Sequence, residues 1–532
     1  MKNQNYDFII VGAGSSGCVI AKRLSDAGYN TLLVEAGGKD ISPYIHIPMG
    51  YGKLFKNKKI NWCYYGEPEP YLNNRKSYQP RGKVLGGTGS INGMLYVRGQ
   101  AEDYDNWKSE GCVGWGYEDV LPYFKKSQHQ VRGENKYHGV GGPLWVSDLP
   151  SRDELADAFI KASHNLGSPL NNDFNGETQE GTGYYQVTTK KNKRWSTARA
   201  FLGDYKNNKN LTVLTKTLAK KIIVEEKKAK GIIVSTKNGD QKIFSNFEVI
   251  LSGGTINSPQ LLMLSGIGDG KHLKENQIEV VYNSPEVGKN LQDHFGVATE
   301  YRCNKPITVN DLYHSNYRKF ISAIKYLFFK QGPFASNGNY ANTFIKTNSK
   351  VLTPDMMVTY MGWCTGEDLG VPKPFSAFTI LAEHSRPDSR GFIKIKSNKA
   401  EEHPVIQFNF FESKHDRDAI IKGVKFARLI SQTDPIKAYV KEEISPGLNV
   451  QSYEELENYC QNVGGSLLHC VGTCRMGKDH NSVVDLFLKV RGVDNLRVID
   501  ASIMPRIVSG NTQAAAIMIG EKGSDLILES YR

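Results

Sequence analysis

The chain is poor in cysteine: 8 residues in 532, and no C-x-x-C pair among them. A disulfide scaffold is thereby excluded, and the nearest pair, Cys470 and Cys474 beside His469, lacks the second half of a zinc or iron–sulfur pattern. Long apolar runs are also missing. None approaches the roughly 18 uncharged residues a membrane span needs. There is no internal repeat and no low-complexity linker. The first residues, MKNQNYDFIIVGAG, enter a strand at once and leave no room for a cleavable signal peptide. The expected location is therefore the cytoplasm, with a peripheral contact at the inner face of the membrane as the alternative.

Charge is present in excess of one sign, with a formal net charge of +12. The cations are scattered or sit in short turn-like runs such as Lys190, Lys191, Lys193 and Arg194, with no recognition helix or stacking module beside them. They read as a solubility surface with room for an anionic partner, and nucleic acid is excluded. The length exceeds what one core usually fills, so two domains are expected.

Glycine is plentiful, 52 residues, and clustered. Tyr6 to Val11 reads as a buried parallel strand. Gly12, Gly14 and Gly17 follow in G-x-G-x-x-G, then a helix with Cys18, Ala21 and Leu24 toward one face, closed by Gly28. Thr31 to Val34 forms a second strand ending on Glu35. This is a dinucleotide-binding βαβ unit. Gly12 permits the tight turn, Gly14 admits the pyrophosphate, and Gly17 lets the helix pack on the sheet. The N–H groups at the helix start, around Ser16, suit phosphate. Glu35, next to Ala36, would accept from ribose hydroxyls and disfavours a 2′-phosphate. These residues alone leave FAD and NAD both open.

Further along, a helix is expected from about Gly114 to Lys126, and strands at Leu211–Val213, Lys221–Val224, Lys230–Ser235 and Glu248–Leu251. Ser258 makes a good N-cap and Pro259 a good first residue for a short helix over Gln260–Leu264. Between about 300 and 460 the glycine clusters thin out, and alternation at Phe392–Lys396 and helical periodicity at Ala419–Ile430 suggest a different domain. The nucleotide-binding style returns at Leu496–Asp500 and in an apolar helix over Thr512–Leu528.

Six ordered stretches carry a resemblance. They are YDFIIVGAGSSGCVIAKRLS at the start, RGKVLGGTGSINGMLYVRG at 81–99, GGTINSPQLLMLSGIG at 253–268, VGKNLQDH at 287–294, HCVGTCRMG at 469–477 and LRVIDASIMPRIVSGNTQAAAIMIGEK at 496–522. The sequence resembles the glucose–methanol–choline (GMC) flavoprotein oxidoreductases over nearly its whole length, most loosely between about 300 and 460. The resemblance implies an α/β fold. An FAD-binding Rossmann-like domain would be built from non-contiguous segments, with a substrate-binding domain of antiparallel sheet and helices. The expected division is 1–150, 211–299 and 461–532 for the FAD domain, 300–460 for the substrate domain, and 151–210 as a substrate-side connection.

It also implies FAD as cofactor, with Gly12, Gly14 and Gly17 at the pyrophosphate and Glu35 at the adenosine ribose. Gly86, Gly87, Gly89, Ser90 and Asn92 would run beside the pyrophosphate and ring, Asp500 and Ala501 at the ribityl part, and Asn511 and Thr512 at the pyrimidine edge. Ile91 stands where some relatives carry a flavin-linking histidine, so a non-covalent flavin is expected. Gly89 replaces a usual serine and Gly254 a usual alanine.

On its own, His469 reads as a core histidine, a metal ligand or a base. The resemblance makes it the general base of alcohol oxidation, where flavin takes the hydride and an imidazole near neutral pKa takes the hydroxyl proton. Asn511 would hold and stabilise the alkoxide and also cap the following helix, whose dipole would favour reduced flavin. His294 reads as structural, because its motif lies far along the chain from His469. Trp363, Phe375 and Phe378 read as core packing, with a substrate-pocket role as the alternative. Glu367, Asp368 and Glu383 could supply charge for choline, but no acidic–aromatic cluster is evident. An uncharged primary alcohol is the expected substrate, with electrons passing to a quinone or other carrier. Dioxygen as acceptor, with choline, aryl alcohol or pyridoxine as substrate, is the alternative. A non-redox flavin lyase and a light-driven decarboxylase are the rival classes.

Overall fold

The computed structural model describes residues 5–203, 205–236, 239–366 and 370–531. Tyr6–Val11 and Thr31–Glu35 form strands flanking the helix Ser15–Asp26. The two strands pair in parallel, Phe8 opposite Thr31 and Val11 opposite Val34. They centre a sheet of order Leu211–Thr215, Thr31–Glu35, Tyr6–Val11, Gly239–Leu251, Lys228–Thr236, Leu218–Glu225. The last three strands form an antiparallel meander. The far end of Gly239–Leu251 instead runs parallel to Tyr6–Val11 and to Leu496–Val498. A strand from the chain's end thus completes a sheet begun at its start. The continuous apolar runs are what such double-sided burial requires.

The helices Ser15–Asp26 and Gln513–Ser530 pack against one another on this sheet. Gly520 permits the approach, since a Cβ there would lie 3.0 Å from the Cα of Ser16. Arg23 grips the buried Glu521 across the pair with two bonds of 2.7 Å. A second sheet is antiparallel throughout. Its order is Val440–Ser445, Phe295–Cys303, Ala377–His384, Met356–Met361, Asn339–Ile345, Gly181–Tyr184, with Gly465–Ser466 also pairing Phe295–Cys303. The helix Lys414–Ser431 covers one face, where Gly423 lets Met356 and Ala382 come close. The other face looks toward the nucleotide-binding sheet.

Four local expectations are corrected. The helix after Gly239–Leu251 spans Gly254–Leu264, so Ser258 and Pro259 lie inside it rather than at its start. The proline is tolerated because the carbonyl it leaves unpaired, that of Thr255, accepts from Thr473 Oγ1 at 2.6 Å. Ser258 Oγ donates to Asp500 at 2.6 Å instead of capping. The last helix begins at Gln513, with Thr512 as its cap residue. Asn511 is therefore not its N-cap, because its amide is turned toward His469. The expected helix near Lys126 spans Tyr117–Ser127, and the alternating segment shrinks to the strand Phe392–Lys394.

Candidate active site

A cavity of about 430 Å³ runs between the two sheets. At one end the first turn brings Gly12, Gly14, Ser16, Glu35 and Ala36 to its wall. Gly12 adopts φ +102°, and a Cβ on it would meet Ser252 O at 2.4 Å. A Cβ on Gly14 would meet no protein atom closer than 3.7 Å, so the protein leaves that space clear. Gly17 lies off the cavity, since a Cβ on it would fall 1.9 Å from Gly12 O. Its job is the close packing of helix on turn. The opening N–H groups of the Ser15–Asp26 helix have no intrahelical acceptor and no side-chain cap.

Glu35 accepts from Ala13 N at 3.0 Å and Gly37 N at 2.7 Å. Burial nonetheless pushes its carboxyl up to about 7, against those two bonds and Lys83. Each oxygen keeps a lone pair for a ribose hydroxyl. FAD binding to the flavin-free protein is therefore expected to tighten as pH rises through about 7, where the proton leaves. Flavin-fluorescence titrations on either side of that pH check it, and the dependence should flatten in Glu35→Gln.

The glycine-rich loop lies across the cavity, with Gly87, Gly89, Asn92 and Ile91 on its wall. Gly87 packs so closely that a Cβ would sit 2.8 Å from Gly14 Cα. Gly86 and Ser90 are not on the cavity wall. Gly86 is left-handed at φ +87° with no room for a side chain, and buried Ser90 donates to Leu85 O at 2.7 Å. Both shape the loop instead. Gly89 faces Gln513 Nε2, which a Cβ would meet at 2.9 Å. Glycine for serine here thus makes room for Gln513, whose Oε1 accepts from Asn92 Nδ2. Gly254 sits at φ +80°, a conformation alanine would strain.

Asp500, Ala501 and Thr512 also reach the cavity. The Asp500 carboxylate is largely committed, accepting from Gly254 N at 2.8 Å, Ser258 Oγ at 2.6 Å and Ser502 N at 2.8 Å. Burial raises its pKa and those donors oppose the rise.

At the far end His469 and Asn511 meet, with Asn511 Nδ2 2.9 Å from His469 Nε2. Asn511 Oδ1 and Gln513 Nε2 are buried without a protein partner. With the clear space at Gly14 and the bare helix start, these orphaned atoms fit an extended flavin dinucleotide whose polar ring edge satisfies them. The side chains that would hold FAD are Glu35, Asn92, Asn511 and Gln513, together with the backbone at Gly12–Ser16.

Behind His469 stands a network that spacing alone did not reveal. His294 Nδ1 lies 2.9 Å from His469 Nδ1 and 2.9 Å from Glu383 Oε1, and Glu383 is 3.6 Å from His469 Nδ1. His294 Nε2 donates to Ser385 O at 3.1 Å. His294 is wholly buried and off the cavity wall, so distance along the chain misled about contact but not about access. Burial alone would lower its pKa, but Glu383 outweighs that and raises it. Burial would raise Glu383, yet His294 and His469 hold it down at about 2. The neighbouring Asp293 accepts from His469 N at 2.7 Å. Asn290, Gln292, Asp293 and His294 of the NLQDH motif therefore hold the His469 loop, whereas Leu291 pairs with Gly391. The motif is visible in sequence, but its partner 175 residues away is not.

Arg194 was also missed, having been read as part of a surface run. It is buried and bonds Ile45 O, Asn92 Oδ1 and Asn92 O at 2.7, 2.8 and 2.6 Å. Trp363 lines the cavity, whereas Phe378 is core, stacked on Tyr301, and Phe375 packs under Arg302. Glu367 and Asp368 lie outside the described residues. Cys470 and Cys474 are buried free thiols. Among the described residues no helix is long and apolar enough to cross a membrane.

Residues 6–296 and 387–520 match the N- and C-terminal sequence profiles of the GMC oxidoreductases. An alcohol dehydrogenase [acceptor] of Pseudomonas putida is 40% identical over 98% of this chain and 96% of its own. The mitochondrial choline dehydrogenase of Mus musculus is 38% identical over 98% and 89%. Among solved structures, pyridoxine 4-oxidase from Mesorbium loti superposes with TM-score 0.90 at 28% identity, covering 99% of each chain. A formate oxidase superposes with TM-score 0.93 at 26% identity, covering 100% of this chain and 99% of that one. With both profiles matched and the dinucleotide cradle in place, the chain belongs to the GMC oxidoreductase family and is an FAD-dependent oxidoreductase.

Proposed function

We propose that the protein oxidises an uncharged primary alcohol to an aldehyde, with His469 as base and Asn511 as the group that orients the hydroxyl. The observation that carries this reading is the 2.9 Å approach of Asn511 Nδ2 to His469 Nε2 at the cavity end. Bound FAD would supply a hydride acceptor there. With Asn511 donating, His469 Nε2 is the unprotonated nitrogen and takes the hydroxyl proton once the substrate oxygen replaces it as the partner of Asn511. The carboxamide then donates to the alkoxide oxygen left behind. His294 and Glu383 lie on the Nδ1 side and hold the ring in that orientation, so they are positioning residues. Flavin is held without a covalent bond, because Ile91 offers no nucleophile, and denaturation should release all of it into solution.

The wall near His469 carries Met357, Met361, Trp363, Leu381 and Leu468. Its one carboxylate, Glu383, is paired with His294. Among the described residues no free anion is left there for a quaternary ammonium, which favours uncharged alcohols over choline. The expected carrier as electron acceptor gains support from the alcohol dehydrogenase [acceptor] relative. Dioxygen gains more, because several of the similar solved structures are named as oxidases. Anaerobic mixing with a panel of aliphatic, aryl and quaternary-ammonium alcohols tests the first half-reaction through loss of the oxidised flavin band. Aerobic peroxide measurement tests the second. Asn511→Ala is expected to slow flavin reduction by about 10²-fold, as loss of one oxyanion donor does. An unchanged rate would remove Asn511 from the chemistry.

A further inference from the structure

The helix Asn316–Phe329 is amphipathic with its apolar face outward. At about 100° per residue Tyr317, Phe320, Ile324, Leu327 and Phe328 share one side, and Ser322 and Tyr326 the other. A helix of a water-soluble protein buries the apolar side. Here the buried residues are Ser322 and Tyr326. Tyr317 and Phe328 are each 75% exposed, Phe320 63% and Leu327 64%. Phe329, at the end of the helix, is exposed as well. The helix holds no aspartate or glutamate. Arg318 and Lys325 edge the apolar stripe, and Lys330 follows its last residue.

An outward apolar stripe with cationic borders is the composition of a helix that lies in a headgroup layer. Fourteen residues are too few to span a bilayer, which needs about 20. The place of the helix in the fold adds a second observation. An apolar vestibule of about 570 Å³, walled by Leu312, Tyr313 and Phe334, takes in Lys319 of this helix. The vestibule shares Phe55, Trp363 and Leu468 with the cavity that holds His469. The vestibule at the foot of the helix and the cavity of the base are thus neighbours, divided by those apolar side chains.

We infer that this helix docks the protein on an anionic lipid bilayer, its stripe among the acyl chains and Arg318, Lys325 and Lys330 among anionic headgroups. The vestibule then lies beside the bilayer, so that apolar alcohols would reach His469 from lipid where the shared side chains Phe55, Trp363 and Leu468 give way. That consequence rests on the alcohol-oxidation reading, whereas the docking does not.

Flotation of the holoprotein with phosphatidylcholine vesicles, with and without about 30% phosphatidylglycerol, tests it. Strong flotation on the anionic vesicles is expected, weakened by salt. The pair Phe320→Glu with Phe328→Glu should cut it at least about tenfold while flavin content stays full. If that pair fails to hold flavin, Arg318→Glu with Lys325→Glu should remove the preference for anionic vesicles. No flotation on anionic vesicles, or undiminished flotation of these variants, overturns the inference. So does a dimer that the variants turn to monomer, which would make a second copy the occupant. Because the readout is binding, alcohol turnover could fail without touching it, and the reverse.

Discussion

Flavin reduction by the best alcohol is expected to slow by about 10²–10⁴-fold in His469→Ala, the usual worth of a general base. The geometry makes the loss specific. Nε2 faces the cavity beside Asn511, while Nδ1 is occupied by His294 at 2.9 Å. Among the described residues no other imidazole lines that cavity. The side chain is 14% exposed, and the His469 loop is held through backbone by Asp293, so alanine should leave the fold and bound flavin intact. Full flavin content with a slow anaerobic rate is the expected pair of results. A rate within a few-fold of the parent would end the assignment. Glu383→Gln gives a graded comparison. It keeps shape but removes the charge that raises the His294 pKa, so it should shift the pH profile of reduction rather than abolish the reaction. Because Glu383 is held at about 2, well below its unfolded value, it contributes stability that is present above pH ~4.5 and lost as pH falls toward ~2. Thermal melts of the parent should show that acid loss, and those of Glu383→Gln should show less of it.

What could be read from sequence divides along a physical line. Tyr6–Val11, the helix after it and Thr31–Glu35 were legible because strand, glycine turn, helix and acidic end are encoded within thirty-odd neighbouring residues that agree with one another. The antiparallel nature of the second sheet came only from the family resemblance. Its strands read weakly, since Ala377–His384 and Met356–Met361 are buried on both faces and show no alternation. His469 and Asn511 were legible only through motif likeness. Their contact joins positions 42 apart, and His294 joins from 175 away, distances over which periodicity carries no information. Ser258 and Pro259 misled because an excellent N-terminal signal was overridden by tertiary partners, Asp500 for the hydroxyl and Thr473 for the orphaned carbonyl. Asn511 misled in the same way. Its Nδ2 donates to His469, and its Oδ1, the atom a cap would use to accept a helix N–H, meets no protein donor.

Arg194 is where that limit has its largest measurable consequence. It sits in a hairpin of Thr189–Lys190 and Lys193–Arg194, where flanking lysines made it look like surface charge. Instead it is 1% exposed, and burial pulls its pKa down to about 9, still charged at neutral pH. Its bonded partners are neutral oxygens: Ile45 O, Gly89 O, Asn92 O and Asn92 Oδ1. A guanidinium is suited to this, because one rigid fork donates to several carbonyls at once. The bonds pin the Gly89–Asn92 loop, and Asn92 in turn donates to Gln513 at the start of the last helix. Methionine fills much of the same volume but donates nothing. Arg194→Met would leave three buried carbonyls without their donor, each costing about 1–3 kcal/mol. The expected result is a loss of at least about 3 kcal/mol and a sharp fall in flavin per protein, because the strapped loop forms one wall of the dinucleotide cavity. Arg194→Lys should recover only part of both, since an ammonium on a flexible stem cannot span acceptors on Ile45 and Asn92 together. Flavin absorbance against protein concentration and thermal melts with and without added FAD read the two effects. If the loop is held by packing alone, Arg194→Met will keep its flavin and melt with the parent.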